Sequence, residues 1–159
     1  MPPQPDFSGQ WTLVAAIPSD DTAATALTVR QTVTRTTIRG EPMAPFFRTI
    51  DIDRQFGGRT TTDTHLIGIV GGTVAGVVGS RGRPGPTRAT QSRYAARWDG
   101  DTLVFEFGTY AGEPQGNGDW TERRETWSLQ PNGEFAIVIV TRGSAAAVRT
   151  ESATYRRRE

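Results

Sequence analysis

The sequence predicts an all-β domain, an antiparallel up-and-down β-barrel of roughly nine or ten strands. Two observations predict this fold: apolar and polar residues alternate with a period of two, and turn motifs separate the alternating runs. A barrel is favoured over a sandwich because a closed sheet has no exposed edges. With 159 residues, the chain is expected to form one domain over residues 1–159.

The alternating runs can be followed along the chain. A first strand opens at residues 7–14, and residues 27–34 then alternate with a clear period of two. Residues 103–107 repeat that pattern, while 135–140 form a continuous apolar run, typical of a strand covered on both faces. One short helical turn is an alternative to a loop at residues 20–26, where an aspartate would cap it.

Turn motifs stand between the predicted strands. Asp99-Gly100-Asp101 and Pro131-Asn132-Gly133 are the strongest, since Asp-Gly and Asn-Gly supply the positive φ angles of tight hairpins. Gly57-Gly58 and Gly71-Gly72 are weaker turn candidates. Many strands joined directly by short turns are typical of an up-and-down topology.

Composition excludes several classes of chemistry. Cysteine is absent, all 18 cationic side chains are arginines, and the only histidine is His65. Disulfides, thiolate nucleophiles, lysine Schiff bases and multi-histidine metal sites are therefore excluded, and we expect neither a metal site nor a cofactor. The net charge of +1, with both signs mixed along the chain, argues against a nucleic-acid partner.

The sequence contains no predicted membrane span and leaves the compartment open. The longest uncharged run, Leu66 to Ser80, is shorter than the ~20 apolar residues that a spanning helix needs. The N-terminal Met1-Pro2-Pro3-Gln4-Pro5 lacks a signal-peptide pattern. The protein is expected to be cytoplasmic as the sequence stands, or exported if an export signal has been removed.

A family resemblance is carried by three motifs. Asp6-Phe7-Ser8-Gly9-Gln10-Trp11 resembles the opening of a lipocalin-type barrel. The hairpin Trp98-Asp99-Gly100-Asp101-Thr102-Leu103 and the strand Glu122 to Leu129 resemble those of small bacterial lipocalin-like (calycin-type) proteins of largely unknown function. The resemblance implies that Trp11, two residues after Gly9, closes one end of the barrel. It also implies that an arginine from a late strand, Arg156 or its neighbour Arg157, packs across this tryptophan. It implies no catalytic residues.

Residues 60–87 depart from this pattern as an insertion-like, glycine-rich apolar hairpin. Within them, Leu66–Gly79 is apolar on both strand faces. Three interpretations remain open: a buried hairpin, a flexible lid, or a surface through which two copies form a homodimer.

The candidate catalytic residues are His65, Asp63 and Tyr94. His65 is interpreted as an ordinary hydrogen-bonded histidine, as a general base oriented by Asp63 on the same strand face, or as an axial haem ligand. Asp51 and Asp53 alternate with isoleucines, and we expect both aspartates to face water.

A set of aromatic side chains is expected to share the inner faces of neighbouring strands. They are interpreted either as core filling or as the wall of a ligand cavity. The predicted ligand-binding residues are Tyr94, Trp98, Phe105, Phe107, Tyr110 and Phe135.

Three functions remain open at this point. The first is binding of a small hydrophobic or aromatic molecule inside the barrel. The second is a cofactor-independent isomerase, cyclase or hydrolase with Asp, Glu, Tyr or His acid–base groups, and the third is an interaction module. A cavity with few ionisable groups favours binding, whereas converging ionisable groups, one with a shifted pKa, favour an enzyme.

Overall fold

The computed structural model describes residues 5–19, 23–34, 37–42, 47–68, 74–76, 90–111, 119–144 and 146–159. These residues form strands and turns, with no helix among them. The strands are β1 (Gly9–Ile17), β2 (Ala26–Thr34), β3 (Thr37–Ile38), β4 (Glu41–Pro42), β5 (Phe47–Phe56), β6 (Arg59–Gly68), β7 (Val74–Gly76), β8 (Thr90–Asp99), β9 (Thr102–Ala111), β10 (Asp119–Leu129), β11 (Phe135–Gly143) and β12 (Ala146–Arg157).

The strands assemble into a nearly closed antiparallel barrel. Ten of them form one sheet in the order β6-β5-β2-β1-β12-β11-β10-β9-β8-β7, and β3 and β4 form a separate hairpin. Apart from β7, the sheet consists of nine long strands that curl round the barrel axis. The two terminal strands pair with each other, with Leu13 opposite Tyr155. The predicted all-β, up-and-down barrel is confirmed.

The barrel has a seam between β6 and β8. Within the described residues these two strands share no ladder of backbone hydrogen bonds. Side chains join them instead: the His65 and Tyr94 rings stack with centroids 5.6 Å apart. The seam is therefore closed by packing rather than by strand pairing.

The predicted tight turns are confirmed where they are described. Gly100, between β8 and β9, has a φ of +63°, and Gly133, between β10 and β11, has a φ of +84°. Gly57 turns the chain from β5 to β6 with a φ of +55°. Positive φ costs glycine little, because it has no Cβ atom. The Gly71-Gly72 turn lies outside the described residues.

Of the helical alternative at residues 20–26, the part at 20–22 lies outside the described residues, and the described part is not helical. Residues 23–25 are irregular, and Ala26 already begins β2. The Thr25 N–H donates to the Gln55 carbonyl at 2.8 Å, and the Leu13 N–H donates to the Thr25 carbonyl at 3.0 Å. These bonds to neighbouring strands satisfy backbone groups that a helix would have paired internally.

Strand alternation divides interior from surface as predicted on β5. Ile50 and Ile52 are fully buried, whereas Asp51 and Asp53 lie on the outer face. The Thr64 hydroxyl donates to Asp51 at 2.7 Å, and Arg30 pairs with Asp53 at 3.0 Å. The two aspartates are therefore surface groups and not a paired-carboxylate site.

One end of the barrel is filled by aromatic side chains around Trp127. Its ring contacts Phe7, Phe105 and Phe135, with centroids 5.6, 4.9 and 5.2 Å away. Trp11 packs against Phe135 at 5.2 Å and donates its indole N–H to the Phe7 carbonyl at 2.9 Å. This aromatic cluster is the main hydrophobic core.

Arg157, not Arg156, covers Trp11. The Arg157 guanidinium lies 4.4 Å from the Trp11 ring and donates to the Ser8 carbonyl at 2.5 Å. Arg156 points to the outer surface and pairs with Glu134, because successive residues of a strand face opposite sides. Gly9 has a φ of +136°, a backbone conformation that favours glycine, and a Cβ there would lie 2.7 Å from Arg157 Nη1, so the arginine side chain would have to shift.

The glycine-rich segment is described only in part. Residues 60–68 belong to the regular strand β6, which pairs with β5, and the insertion-like departure of 60–87 from the family pattern stays a prediction. Residues 74–76 form the short strand β7, which pairs with β8. The remainder lies outside the described residues, so the hairpin, lid and homodimer interpretations stay predictions. The described residues contain no helix that could span a membrane.

Candidate functional site

A cavity of about 460 Å³ opens at the barrel end opposite the core cluster. Its volume falls within the range of about 300–1,000 Å³ that is usual for small-molecule sites. Both charged and apolar side chains line it. The lining residues are Ala16, Ile17, Pro18, Ala23, Ala24, Leu27, Arg54, Phe56, Arg59, Thr61, Asp63, Arg123, Glu125, Ile137, Ile139, Thr141, Glu151, Ser152, Ala153 and Tyr155.

Glu125 is the buried carboxylate of the cavity and is only 6% exposed. Strand alternation places it on the inner face of β10 together with Trp127. Its Oε1 atom accepts hydrogen bonds from Arg54 Nη2 at 2.5 Å and from the Trp127 indole N–H at 2.9 Å. Its Oε2 atom accepts a bond from Arg123 Nη2 at 3.3 Å. A buried charge with three donors is well compensated.

The Arg54–Glu125 ion pair connects opposite walls of the barrel. Arg54 comes from β5 and Glu125 from β10, strands that are not neighbours in the sheet. Arg54 takes part in the alternation that buries Ile52, so its side chain also points inward. The pair therefore forms a polar floor between the cavity and the aromatic core.

The apolar wall of the cavity comes from β11 and β12. Ile137 is buried, and Ile139 and Ala153 are half-buried beside it. Burial raises the pKa of Tyr155 to about 12, so its phenol is neutral near pH 7 and provides a hydrogen-bonding group without charge. At the rim, Ile17 is 71% exposed.

His65 and Tyr94 form a hydrogen-bonded pair at the seam. His65 Nδ1 and the Tyr94 hydroxyl are 2.5 Å apart, and the His65 ring also packs 4.4 Å from the Phe105 ring. Burial raises the pKa of Tyr94, and the charges of Glu125 and Asp63 add to this effect. Tyr94 therefore remains a phenol near neutral pH.

The hypothesis that Asp63 orients His65 is not what the structure shows. Both side chains are on the inner face of β6, as predicted, but Tyr94 is the hydrogen-bond partner of His65. Asp63 instead lines the cavity, and it makes no hydrogen bond or ion pair with a described residue.

Burial lowers the pKa of His65 below its usual value of 6.5; Glu125 opposes this effect more weakly. As the pH falls, the unfolded chain therefore takes up this proton before the folded chain does. The contribution to the free energy of unfolding is constant above about pH 6.5 and decreases below it, by at most about 1.4 kcal/mol per pH unit.

We predict that His65→Gln removes this part of the acid sensitivity, because glutamine does not titrate. Urea unfolding at about pH 7.5 and about pH 5.5 measures it. The wild type should lose more free energy of unfolding between the two pH values than the variant. Carboxylates titrate equally in both proteins, so an equal loss would show that His65 is not the responsible group.

The predicted aromatic ligand contacts lie in the core and at the seam. Trp98, Phe105 and Phe135 pack around the core cluster, and Tyr94 lies at the seam; none of these side chains lines the cavity. Phe107 is 41% exposed and lies opposite Arg123 in the β9–β10 ladder. The side chain of Tyr110 lies outside the described part of the structure. Ligand binding by these residues stays a prediction.

Arg54, Arg123 and Glu125 line the cavity but are not among the site residues predicted from the sequence. One signal was available: Glu125 shares its strand face with Trp127, so a buried Trp127 implies an inward carboxylate that needs a cationic partner. The sequence alone does not identify that partner, because the contact depends on how the sheet curls.

Among the described residues, the surroundings of His65 do not suit haem. Aromatic rings pack against His65, which does not line the cavity, so haem would not have room at this ring among the described residues. No three His, Asp or Glu side chains in the described ranges come together as metal ligands.

Comparison with known proteins gives no match: no protein family, no curated protein and no solved structure is significantly similar to this chain. The lipocalin-like resemblance therefore rests on the sequence motifs alone and stays a prediction.

Proposed function

We propose that this protein binds a small molecule with an apolar body in the open end of its barrel. The observation that carries the proposal is the cavity of about 460 Å³, walled by Ile137, Ile139 and Leu27 and open to solvent at Ile17. Burying apolar ligand surface is worth about 25 cal/mol per Å². The polar floor at Glu125 would orient the ligand.

The rim supports entry of such a ligand. Ile17 and Pro18 are both exposed at the mouth of the cavity. A large exposed apolar side chain is ordinary when isolated, but here it borders the same cavity as Ala16 and Ala24. An apolar molecule that enters at Ile17 would reach the same cavity that Ile139 lines.

We predict that Ile139→Trp lowers the affinity for the neutral fluorescent probe N-phenyl-1-naphthylamine at least about tenfold, because the indole occupies cavity volume. Val138→Trp is the matched control, since Val138 is the preceding residue and points to the outer surface. Fluorescence titration measures both affinities. The proposal fails if the wild type does not bind the probe, or if both variants bind it as the wild type does.

A second candidate function is a cofactor-independent isomerase, cyclase or hydrolase. Asp63 favours it, because this carboxylate lines the cavity without a described hydrogen-bond partner, opposite the polar group formed by Arg123 and Glu125. Such a carboxylate is suited to accept a proton from a bound molecule. Incubation with a small-molecule extract, followed by mass spectrometry, would detect conversion that is lost in Asp63→Asn; no conversion by the wild type would leave binding as the function.

A further inference from the structure

The charges in and around the cavity do not cancel. The lining itself holds three arginines, Arg54, Arg59 and Arg123, and three acids, Asp63, Glu125 and Glu151. Glu125 is shared between Arg54 and Arg123, and Glu151 pairs at 2.7 Å with Arg149, an arginine outside the lining. Counted with Arg149, these described residues carry four positive and three negative charges.

Glu125 does not use up the binding capacity of Arg123. The two carboxylate oxygens of Glu125 already accept hydrogen bonds from Arg54 and Trp127 as well as from Arg123. Arg123 contributes only Nη2 to this contact, whereas a guanidinium carries five N–H donors. Its side chain is 42% exposed, so the other donors can meet a molecule in the cavity.

Arg59 is the second cationic group. Its guanidinium lies 5.4 Å from the centre of the Phe56 ring, and both side chains line the cavity. Within the described part of the chain, Arg59 forms no ion pair with an acid. Contact with the ring holds the guanidinium at the cavity without neutralising its charge.

We infer that the ligand carries a single carboxylate, bound by Arg123 and Arg59, while its apolar body contacts Ile137 and Ile139. This inference rests on the proposed function. Arginine suits a carboxylate because its planar N–H groups match the two oxygens. A cationic ligand would find Asp63 as its one uncompensated partner in this lining, and a second carboxylate would exceed the positive charge available.

The test compares three molecules with the same ten-carbon chain: decanoate, 1-decanol and decyltrimethylammonium. Each competes with N-phenyl-1-naphthylamine, and displacement gives its affinity. We expect decanoate to bind about tenfold more tightly than 1-decanol, as a charge-assisted hydrogen bond would provide, and decyltrimethylammonium to bind most weakly.

Variants assign the preference to the two arginines. Arg123→Gln and Arg59→Gln should each reduce the preference for decanoate over 1-decanol, with little change for 1-decanol itself. Arg142→Gln is the control, since Arg142 lies on the outer face and pairs with Glu122 at 2.9 Å. Arg59 is exposed, so its variant tests the inference even if Arg123→Gln weakens folding.

The possible outcomes distinguish failure of the carboxylate inference from failure of the proposed small-molecule binding. If decanoate and 1-decanol bind equally, or if both arginine variants keep the preference, the carboxylate inference is wrong and an apolar site remains. If neither these molecules nor the probe bind, the proposed function fails and the inference fails with it.

Discussion

Glu125→Gln is expected to lower the free energy of unfolding by about 3 kcal/mol, because it leaves the Arg54 charge without its counter-ion in a poorly solvated site. The Arg54 side chain is only 12% exposed, and the Arg54–Glu125 contact is 2.5 Å long. Glutamine keeps an oxygen that accepts the Trp127 indole N–H, so the change removes chiefly charge. Urea unfolding measures the loss.

Glu106→Gln is the matched control. Glu106 lies on the neighbouring strand β9, pairs with Arg97 at 3.0 Å, and faces solvent with 46% of its side chain exposed. Exposed pairs of this kind are worth about 0–1 kcal/mol, so little change is expected. The double variant Arg54→Met with Glu125→Gln should lose less than the two single losses added together. Strict additivity would show that the two groups do not interact.

Trp127→Ala should cost about 4 kcal/mol, the usual loss when a fully buried aromatic side chain is removed. Trp127 is completely buried and joins Phe7, Phe105 and Phe135 into one cluster. The variant also leaves one oxygen of Glu125 with one donor fewer. We therefore expect this substitution to be among the most damaging in the barrel.

Trp120→Ala provides the comparison on the same strand. Trp120 is half-buried near the start of β10, and its described hydrogen bonds to Ser144 are made by backbone atoms, which the substitution keeps. We expect a loss well below that of Trp127→Ala, about 1 kcal/mol or less. Similar losses in the two variants, measured by urea unfolding, would contradict the central place of Trp127 in the core.

Much of the fold could be predicted because its causes are local. Alternation placed Ile50 and Ile52 inward and the intervening Asp51 outward, and Asp-Gly and Asn-Gly motifs marked the turns at Gly100 and Gly133. The resemblance left open whether Arg156 or Arg157 covers Trp11. The register between β12 and β1 decides this, because it puts Arg157 directly opposite Trp11. The two strands are almost a whole chain apart in the sequence, so local patterns do not predict their register.

The site was harder to predict, because strand alternation tells which face a side chain is on but not its height along the barrel axis. Phe105 and Phe135 lie on inner faces as predicted, yet they belong to the filled end and not to the cavity. Arg54 and Glu125 are 71 positions apart and meet only when the sheet curls. Tilt and closure of the barrel decide such contacts.

The central claim, that a small apolar molecule enters the open end of this barrel, is tested most directly by methyl NMR on isoleucine-labelled protein titrated with N-phenyl-1-naphthylamine. The account predicts that the methyl signals of Ile137, Ile139 and Ile17 shift with the probe, since these residues line the cavity. Those of Ile50 and Ile67, which are fully buried and do not line it, should move far less. Shifts confined to other isoleucines, or no shifts at all, would contradict it.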